Sequence, residues 1–346
     1  MLTNRQFEDF KHELNAIIDV YKQEFSEQKP TDWKTYEKQW ANRLRTALKE
    51  VKSVIEESYN CIKIKPKRFG RPPKAKANQK VLILSAKDLA QFSNRKMANP
   101  LPLFSLFDDV DISYKTIERA YSDPLVKLII HNMFVILVKR KRIKQSDLTG
   151  DGTGYSLTIT KHYRSVREKA KDTVKSNEES TAALAKPQTK QERKKLFTFA
   201  FALMDLDSHM YVGYGASMKS EKAAFEAALD IMRECGVEAK SVRLDQYYAG
   251  QSTAAVFGAD TALYVIPKSN ATIRGSYVWK DMVRDLMSYP FLFLKEYFRR
   301  EHSESGFSAD KRCDGWKIWQ RRGDRIETAT MFKGVWHNLL WLGDTT

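Results

Sequence analysis

The sequence contains few cysteines and lacks long apolar runs. Only three cysteines, Cys61, Cys235 and Cys313, occur in 346 residues. They are widely separated and odd in number, which argues against a disulfide framework and against a cysteine-rich zinc site. The most apolar stretch, residues 125–138, is interrupted by polar side chains and is too short to cross a bilayer. The first ten residues lack the apolar core of a signal peptide. We therefore predict a cytoplasmic protein with reduced thiols and no membrane partner.

Acidic residues are also scarce relative to basic ones. The chain has 43 Asp and Glu against 59 Lys and Arg, for a formal net charge of +16. This balance favours a polyanionic partner such as nucleic acid or an anionic membrane surface, and charge alone does not choose between them. A chain of this length is usually too long for a single domain with one hydrophobic core. This predicts a catalytic domain with a smaller accessory domain. The glycine-rich segment 149–154 lacks both a Gly-Lys-Ser/Thr ending and a GxGxxG pattern before a helix, which argues against nucleotide binding.

The first eighty residues divide into two segments of different composition. Residues 1–60 have apolar side chains at helical spacing, which predicts a helical hairpin with a packing or self-association face. The alternative is that this face contacts DNA directly. Residues 61–80 are basic, contain no acid and read as a linker. Within it, residues 70–74 (Gly-Arg-Pro-Pro-Lys) resemble an AT-hook, which would place Arg71 in a DNA minor groove. The alternative is a solvated linker that contacts phosphates without reading sequence.

Residues 81–144 are predicted to form a helical, helix-turn-helix-like DNA-binding domain. Ser85 is predicted to cap one helix, and residues 111–121 have the polar and aromatic pattern of a recognition helix. Asp123-Pro124 supplies an N-cap and a first-turn proline for the next helix. The alternative is a small helical bundle that does not read DNA. The candidate DNA contacts on the recognition helix are Lys115 and Arg119.

The remaining residues, 145–346, change to strand-like alternation and are predicted to form an α/β domain. It has a mixed sheet flanked by helices, with residues 162–195 as a charged insertion. The predicted elements are a strand over 155–160, a hairpin of 196–205 and 210–216, a helix over 220–235 ended by Gly236, strands over 242–248 and 262–267, and a final helical segment.

The last helical segment carries the most specific pattern in the chain. Tyr297 is followed after two residues by Arg300, after three more by Glu304, and after six more by Lys311. This spacing matches the Tyr-Arg-Glu-Lys signature of insertion-sequence DDE transposases, a family with a ribonuclease-H-like core. The chain from about residue 151 to the C-terminus resembles that family.

Two aspartates complete the resemblance. Asp151 and Asp245, both in strand-like settings, resemble the first and second catalytic aspartates of the family, with Glu304 as the third acid. The resemblance implies a ribonuclease-H-like mixed sheet and two Mg²⁺ or Mn²⁺ ions held by these three carboxylates. Such hard cations prefer oxygen ligands. Repulsion among the acids would leave the site only partly formed until metal binds.

The resemblance also implies the partners and the reaction. Tyr297, Arg300 and Lys311 would contact DNA beside the acids. The protein would bind double-stranded DNA, both the terminal inverted repeats of its element and target DNA, as a homodimer or larger assembly associated with the nucleoid. It would cleave the element ends and transfer the strands.

Two other functions and several other residue roles stay open at this point. The chain could be a ribonuclease-H-like nuclease without strand transfer, or a DNA-binding protein whose chemistry is lost. The aspartates could be ordinary turn acids, and Glu301, one turn before Glu304, could be the third acid instead. Trp279 is predicted to be a core residue rather than a base-stacking one. No metal role is predicted for His162, His209 and His302.

Overall fold

The N-terminal part of the protein is helical, as predicted. The computed structural model describes residues 3–25, 32–63, 73–97, 99–102, 110, 112–160, 195–258 and 260–343. Arg71, most of the AT-hook-like segment, His162 and the insertion up to residue 194 lie outside the described residues. The helices of this part are α1 (Asn4–Phe25), α2 (Trp33–Asn60), α3 (Ala77–Leu89), α4 (Asn94–Met97), α5 (Tyr114–Ala120) and α6 (Pro124–Arg140).

The predicted start of α6 is confirmed, whereas the predicted role of Ser85 is wrong. The Asp123 carboxylate accepts a hydrogen bond from the Leu125 amide at 3.1 Å, with Pro124 in the first turn. Ser85 lies inside α3, where it is buried and donates to the Val81 carbonyl at 2.9 Å. A serine on the apolar face of a helix can satisfy its hydroxyl one turn back, so the same residue that signals a cap is also compatible with a helix interior.

Helix α6 lies at the centre of the helical layer. Its buried side chains include Ile129, Met133 and Phe134, and it packs against α2, α3 and the C-terminal helix α12 (Gly323–Trp341). One hydrophobic cluster therefore runs from α1 and α2 into the C-terminal part of the chain. The domain boundaries at residues 60, 80 and 144 stay predictions.

Among the described helices, none alone has the length and hydropathy of a membrane span; α5 and α6 reach them only as a pair, bent by 60°.

The C-terminal part contains the predicted mixed sheet. Its strands are β1 (Gln145–Thr160), β2 (Lys195–Asp205), β3 (Tyr211–Ser217), β4 (Glu238–Leu244), β5 (Ala262–Tyr264) and the two-residue β6 (Lys317–Ile318). The order across the sheet is β3-β2-β1-β4-β5, with β6 paired to β1. The first three strands are antiparallel, while β4 is parallel to β1 and β5 is parallel to β4.

Helices cover both faces of this sheet. After β3 comes α7 (Glu221–Cys235), which ends as predicted at Gly236 in a left-handed conformation with φ of 73°. The remaining helices are α8 (Gln251–Ala254), α9 (Tyr277–Ser288), α10 (Pro290–Phe298) and α11 (Glu301–Asp314). Helix α7 packs on β2 and β3. On the other face, α12 packs on β3, where Gly334 lies against the ring of Tyr214. The molecule is thus an α/β protein with a mixed sheet flanked by helices.

Two glycines of β3 allow α7 to lie directly on the sheet. A Cβ atom at Gly215 would lie 1.9 Å from the Ala224 carbonyl oxygen, and one at Gly213 would lie 2.4 Å from the Ala228 carbonyl oxygen. Both obstacles are helix backbone, which cannot move aside as a flexible side chain can.

We predict that Gly215→Ala destabilises the fold by about 1–3 kcal/mol, because the added methyl group forces α7 away from the sheet. Gly323→Ala is the matched control, since among the described residues no atom outside its own chain neighbours and helix backbone lies within 4 Å of a Cβ at that position. Urea unfolding followed by circular dichroism measures both variants. Equal unfolding midpoints for Gly215→Ala and the wild type would show that this packing argument is wrong.

Candidate active site

The predicted acids lie at an interruption along one side of β1. Strand β4 pairs with β1 up to the Gly150–Leu244 pair, and β6 pairs with β1 from Ser156 onward. Residues 151–155 lie between these two pairings. We call this interval the sheet gap. The flanking pairs at Gly150 and Ser156 are about 20 Å apart along β1 at the usual strand rise of about 3.3 Å per residue.

Asp151 and Asp245 both enter the sheet gap immediately after the last parallel pair. Because Gly150 and Leu244 are register partners, the residues that follow them emerge side by side. Asp151 accepts a hydrogen bond from the Gly152 amide at 2.9 Å. Asp245 caps a short 3-10 turn, accepting from the Tyr247 amide at 3.3 Å, and its side chain is 42% exposed. The two aspartates, 94 residues apart in sequence, are thus neighbours.

Arg300 contacts both Asp245 and the third predicted acid, Glu304. It lies at the N-terminus of α11. Its Nη1 atom is 3.1 Å from a carboxylate oxygen of Glu304 and 3.8 Å from one of Asp245. Glu304 is half exposed, and Glu301, the rival acid one turn earlier, is also exposed. The contact to Arg300 favours Glu304, although the choice between the two glutamates stays a prediction.

Lys311 and Tyr297 border the same site. Lys311 Nζ donates to Thr153 Oγ1 at 2.5 Å. Thr153 lies two residues after Asp151 and therefore on the same face of β1. Tyr297 is only 6% exposed, and its ring centroid lies 5.8 Å from the Arg300 guanidinium carbon. The structure thus brings together all six residues of the predicted acid and signature set: Asp151, Asp245, Tyr297, Arg300, Glu304 and Lys311.

The other predicted DNA contacts lie elsewhere. Lys115 and Arg119 are exposed on α5, a helix that packs on α3 and α4. Trp279 is 1% exposed and donates from Nε1 to the Thr272 carbonyl at 2.7 Å, which confirms the prediction that it is a core residue.

Burial and neighbouring charges change the pKa of Asp151. Loss of hydration on burial is the largest effect and raises the pKa of Asp151 to about 6. The hydrogen bond from Gly152 and the charge of Arg300 lower its pKa, whereas Glu304 and Asp245 raise it. The other acids of the site therefore act on Asp151 electrostatically.

The donor chemistry of the site fits a hard divalent cation. Carboxylate oxygens are the ligands that Mg²⁺ and Mn²⁺ prefer. Within the described ranges, no three His, Cys, Asp or Glu side chains lie close enough to hold an ion as they stand. Instead, the Arg300 guanidinium lies within reach of both Asp245 and Glu304. The half-exposed side chains of these two acids have room to turn toward an ion.

Comparison with known proteins identifies the family. The chain is 40% identical over 328 residues to a probable transposase for insertion sequence element ISA1214 from Archaeoglobus fulgidus. The alignment covers 94% of this chain and 92% of that protein. The chain belongs to the insertion-sequence transposases. No protein-family model matches it, and no solved structure is significantly similar.

In this transposase-family chain, sequence reasoning missed a buried arginine that supports Asp245. Arg243, at the end of β4, is 2% exposed. Its guanidinium pairs with the Glu296 carboxylate and donates to the Glu296 carbonyl oxygen at 3.0 Å and to Ser241 Oγ at 2.6 Å. These contacts connect β4, the strand that immediately precedes Asp245, to α10, the helix that holds Tyr297. Only the position of Arg243, two residues before Asp245, could have drawn attention to it.

A second missed group anchors α11 from its other end. Asp310, next to Lys311, is buried and accepts from Tyr211 Oη at 2.7 Å. Its other carboxylate oxygen is 2.7 Å from Nδ1 of His337, and Nε2 of His337 is 2.7 Å from the His209 carbonyl oxygen. We call Asp310, His337 and Tyr211 the buried triad. It connects α11 to α12 and β3, which fixes the helix that carries Glu304.

We predict that Asp151→Asn raises the stability of the metal-free protein at neutral pH. Because the folded pKa of Asp151 is about 6 and the unfolded value is about 3.9, the native state binds its proton more tightly. The contribution of Asp151 to the free energy of unfolding is therefore complete below pH 4 and is lost as the pH rises through 6. The variant should match the wild type at pH 4 and exceed it at pH 7.5, by on the order of 2 kcal/mol.

Urea unfolding in EDTA across this pH range measures the difference between the two proteins. Exposed Asp207 supplies the control, Asp207→Asn, which should track the wild type at every pH. A difference between the Asp151→Asn variant and the wild type that does not change with pH would show that Asp151 titrates normally.

Proposed function

We propose that the protein is a DDE transposase that binds the terminal repeats of its element and catalyses metal-dependent DNA cleavage and strand transfer. The observation that carries the proposal is the convergence of Asp151, Asp245 and Glu304 with two cations, Arg300 and Lys311, at the sheet gap. The membership of the transposase family supports the reaction class.

The strand order supports a ribonuclease-H-like core. Three antiparallel strands are followed by α7 and then by two strands parallel to β1, in the order β3-β2-β1-β4-β5. The acids lie on the central strand, at the carboxyl end of its parallel neighbour, and on α11, a helix that follows β5. In open α/β sheets, sites commonly form at such strand ends, where side chains from different segments converge.

Asp151, Asp245 and Glu304 would hold two Mg²⁺ or Mn²⁺ ions. When bound, the pair of ions would activate the attacking oxygen and stabilise the leaving oxygen of the phosphodiester. The protein side chains have separate tasks. Asp151 must lose its proton to act as a ligand, and the charge of Arg300 favours that loss. Buried Arg243 and the buried triad keep the acid-bearing elements in place.

Arg300 and Lys311 would bind the phosphates of the reacting strand. Each lies within one side-chain length of the acids, so each can offset phosphate charge there. Arg300 also pairs with Glu304 at 3.1 Å and lies 3.8 Å from Asp245. Tyr297 is predicted to contact DNA, and its buried ring also supports the Arg300 guanidinium.

Away from the three acids, DNA binding would rest on the positive net charge of the chain and on helix α5. The net charge of +16 favours contacts with the phosphates of the terminal repeats and of target DNA. Lys115 and Arg119 are exposed on α5 and available for such contacts. Arg71 is proposed as a minor-groove contact, and pairing of two element ends calls for at least a homodimer.

The test is a reaction with a donor plasmid that carries the coding sequence together with its flanking genomic DNA. The protein is incubated with this donor and a labelled target plasmid, in Mg²⁺, in Mn²⁺ or in EDTA. We expect metal-dependent nicks at the element ends and donor strands joined to the target. Cleavage without joined product would indicate a nuclease instead. Binding without cleavage in either metal would indicate a DNA-binding protein without catalytic activity.

A further inference from the structure

A further acidic side chain, that of Glu221, reaches the sheet gap from the face of the sheet that α7 covers. Glu221 is the first residue of α7. Its carboxylate lies directly against β1, because a Cβ atom at Gly152 would lie 2.3 Å from Glu221 Cδ and Oε1. Successive residues of a strand face opposite sides of the sheet, so Glu221 contacts β1 on the face away from the Asp151 side chain. Any side chain at position 152 would displace this carboxylate.

Tyr248 donates a hydrogen bond to the Glu221 carboxylate, from Oη to Oε1 at 2.6 Å. The Tyr248 ring is 5% exposed and packs against Phe201 of β2 and Phe225 of α7, with ring centroids 5.1 Å apart in each pair. Burial, the hydrogen bond to Glu221 and the charges of Glu221 and Asp151 raise the pKa of Tyr248. The phenol therefore stays protonated at neutral pH and remains a donor to Glu221.

Glu221 and Tyr248, which we call the bridging pair, connect the two segments that carry the predicted aspartates. Tyr248 is the last residue of the 3-10 turn that Asp245 caps, and its amide donates to the Asp245 carbonyl oxygen at 2.9 Å. At the other end of the pair, the Glu221 carboxylate lies against Gly152, whose amide donates to the Asp151 carboxylate. The bridging pair thus links the Asp245 turn to β1 beyond the last register pair of β4 and β1.

Other side-chain contacts of this turn lead away from β1. Gln246 Nε2 donates to the Pro267 carbonyl oxygen at 3.0 Å, and Lys268 Nζ donates to the Tyr247 carbonyl oxygen at 2.7 Å. Both contacts hold the turn to the segment that follows β5. The bond from Tyr248 to Glu221 instead leads back to β1, and it therefore bears on the distance between the two aspartates.

We propose that Glu221 is a positioning residue, which sets the separation of Asp151 and Asp245 through its hydrogen bond with Tyr248. This inference rests on the proposed function and adds a residue on which the spacing of the metal ligands depends. Two ions about 3.5–4 Å apart can share carboxylates only if those carboxylates are correctly spaced. Because Glu221 lies on the face of β1 away from the Asp151 side chain, it acts through the backbone and Tyr248 rather than as a ligand.

The test measures metal binding and cleavage separately. Isothermal titration calorimetry of the whole chain with Mn²⁺ gives the dissociation constant without DNA, and donor cleavage gives the rate at saturating Mn²⁺. Glu221→Ala and Tyr248→Phe should each weaken Mn²⁺ binding by about tenfold to a hundredfold, as expected when groups that orient metal ligands are lost. The cleavage rate at saturating Mn²⁺ should fall much less, because bound ions themselves draw the aspartates together.

Glu221→Gln separates positioning from direct metal binding. The glutamine amide oxygen can still accept the hydrogen bond from Tyr248 but has no charge, so this variant should keep most of the wild-type affinity for Mn²⁺. If Glu221 is itself a ligand, Glu221→Gln will lose as much affinity as Glu221→Ala, and Tyr248→Phe will lose little. That result would overturn the positioning role. Glu226→Ala is the matched control, since Glu226 is an exposed acid on the same helix.

Gly152→Ala tests the same contact from the strand. The added methyl group displaces the Glu221 carboxylate, so Mn²⁺ binding should weaken as in Glu221→Ala, and the double variant should bind little worse than either single variant. Gly154→Ala is the matched control, because it lies on the same face of β1 and a Cβ atom there would be 3.6 Å from Phe197 Cδ1, an ordinary van der Waals distance. Additive losses from Gly152→Ala and Glu221→Ala would contradict the proposed contact.

The outcomes distinguish this inference from the proposed function. If Glu221→Ala and Tyr248→Phe bind Mn²⁺ as tightly as the wild type, the positioning inference is wrong and the proposed function is unaffected. If the wild type neither binds Mn²⁺ nor cleaves DNA in its presence, the proposed function is wrong and the inference falls with it. Circular dichroism shows whether each variant is folded, and Tyr248→Phe keeps the buried ring, so it tests the hydrogen bond even if Glu221→Ala unfolds.

Discussion

Asp245→Asn and Glu304→Gln are each expected to lower the rate of Mg²⁺-dependent DNA cleavage by about a thousandfold or more. Each substitution keeps the size of the side chain but removes an anionic oxygen from the set that would hold the ions. Stabilisation of the reacting phosphate by bound metal accounts for several kcal/mol of the barrier, which is about three powers of ten in rate. The measurement is the initial rate of donor cleavage at saturating Mg²⁺.

The two variants should keep their fold and their affinity for DNA. Both side chains are about half exposed, so neither substitution leaves a buried group without a partner. Glu301→Gln and Asp207→Asn are matched controls, because both residues are exposed acids and Glu301 lies one turn from Glu304. These controls should stay within a few-fold of the wild-type rate. A large loss in Glu301→Gln with normal activity in Glu304→Gln would mean that the third acid had been assigned to the wrong glutamate.

Local sequence patterns predicted most of the sheet, because apolar alternation and turn residues within a short segment are enough to indicate a strand. Alternating apolar residues gave the β2–β3 hairpin, and the glycine after Cys235 gave the end of α7. The spacing from Tyr297 to Lys311 directed attention to α11, and the structure places those residues beside the two aspartates.

The features that local patterns could not predict depend on long-range pairing. Strand β6 has only two residues and exists because it pairs with β1, so neither it nor the sheet gap has a sequence signal of its own. The chain has seven tryptophans, and nothing in their local sequence separates buried Trp279 from exposed Trp316. Asp310 resembles a surface acid in sequence because His337 lies 27 residues away on another helix.

His337→Ala is expected to destabilise the protein by about 3–5 kcal/mol, because it removes a hydrogen-bond partner from a buried carboxylate and leaves a cavity where the ring was. The His337 side chain is fully buried, and the Asp310 side chain is 4% exposed. Both ring nitrogens of His337 lie within hydrogen-bond distance of oxygen atoms, a carboxylate oxygen of Asp310 and the His209 carbonyl oxygen. The substitution therefore removes the hydrogen bond between His337 and the buried Asp310 carboxylate, which keeps the bond from the Tyr211 hydroxyl. Unfolding in urea measures the loss.

His131→Ala is the matched control. His131 also pairs with a glutamate, at 2.8 Å, but on the surface, where such pairs contribute about 0–1 kcal/mol. The coupling within the triad can be tested by adding Asp310→Asn to His337→Ala. Because this second change removes the buried carboxylate that has lost its His337 partner, the double variant should be more stable than the sum of the two single losses predicts. Strict additivity would show that His337 contributes only packing.

The triad should also affect the site through the position of α11. If Asp310 holds the helix that carries Glu304, loosening it displaces that acid from Asp151 and Asp245. At a temperature where His337→Ala is still folded, the Mg²⁺ concentration for half-maximal cleavage should rise about tenfold to a hundredfold, as expected when residues that orient metal ligands are lost. If His337→Ala loses stability without any change in its Mg²⁺ requirement, the buried triad contributes to folding but not to the position of Glu304. Because α11 meets β1 at Thr149 as well, through Ser303, the displacement of Glu304 should be partial rather than complete.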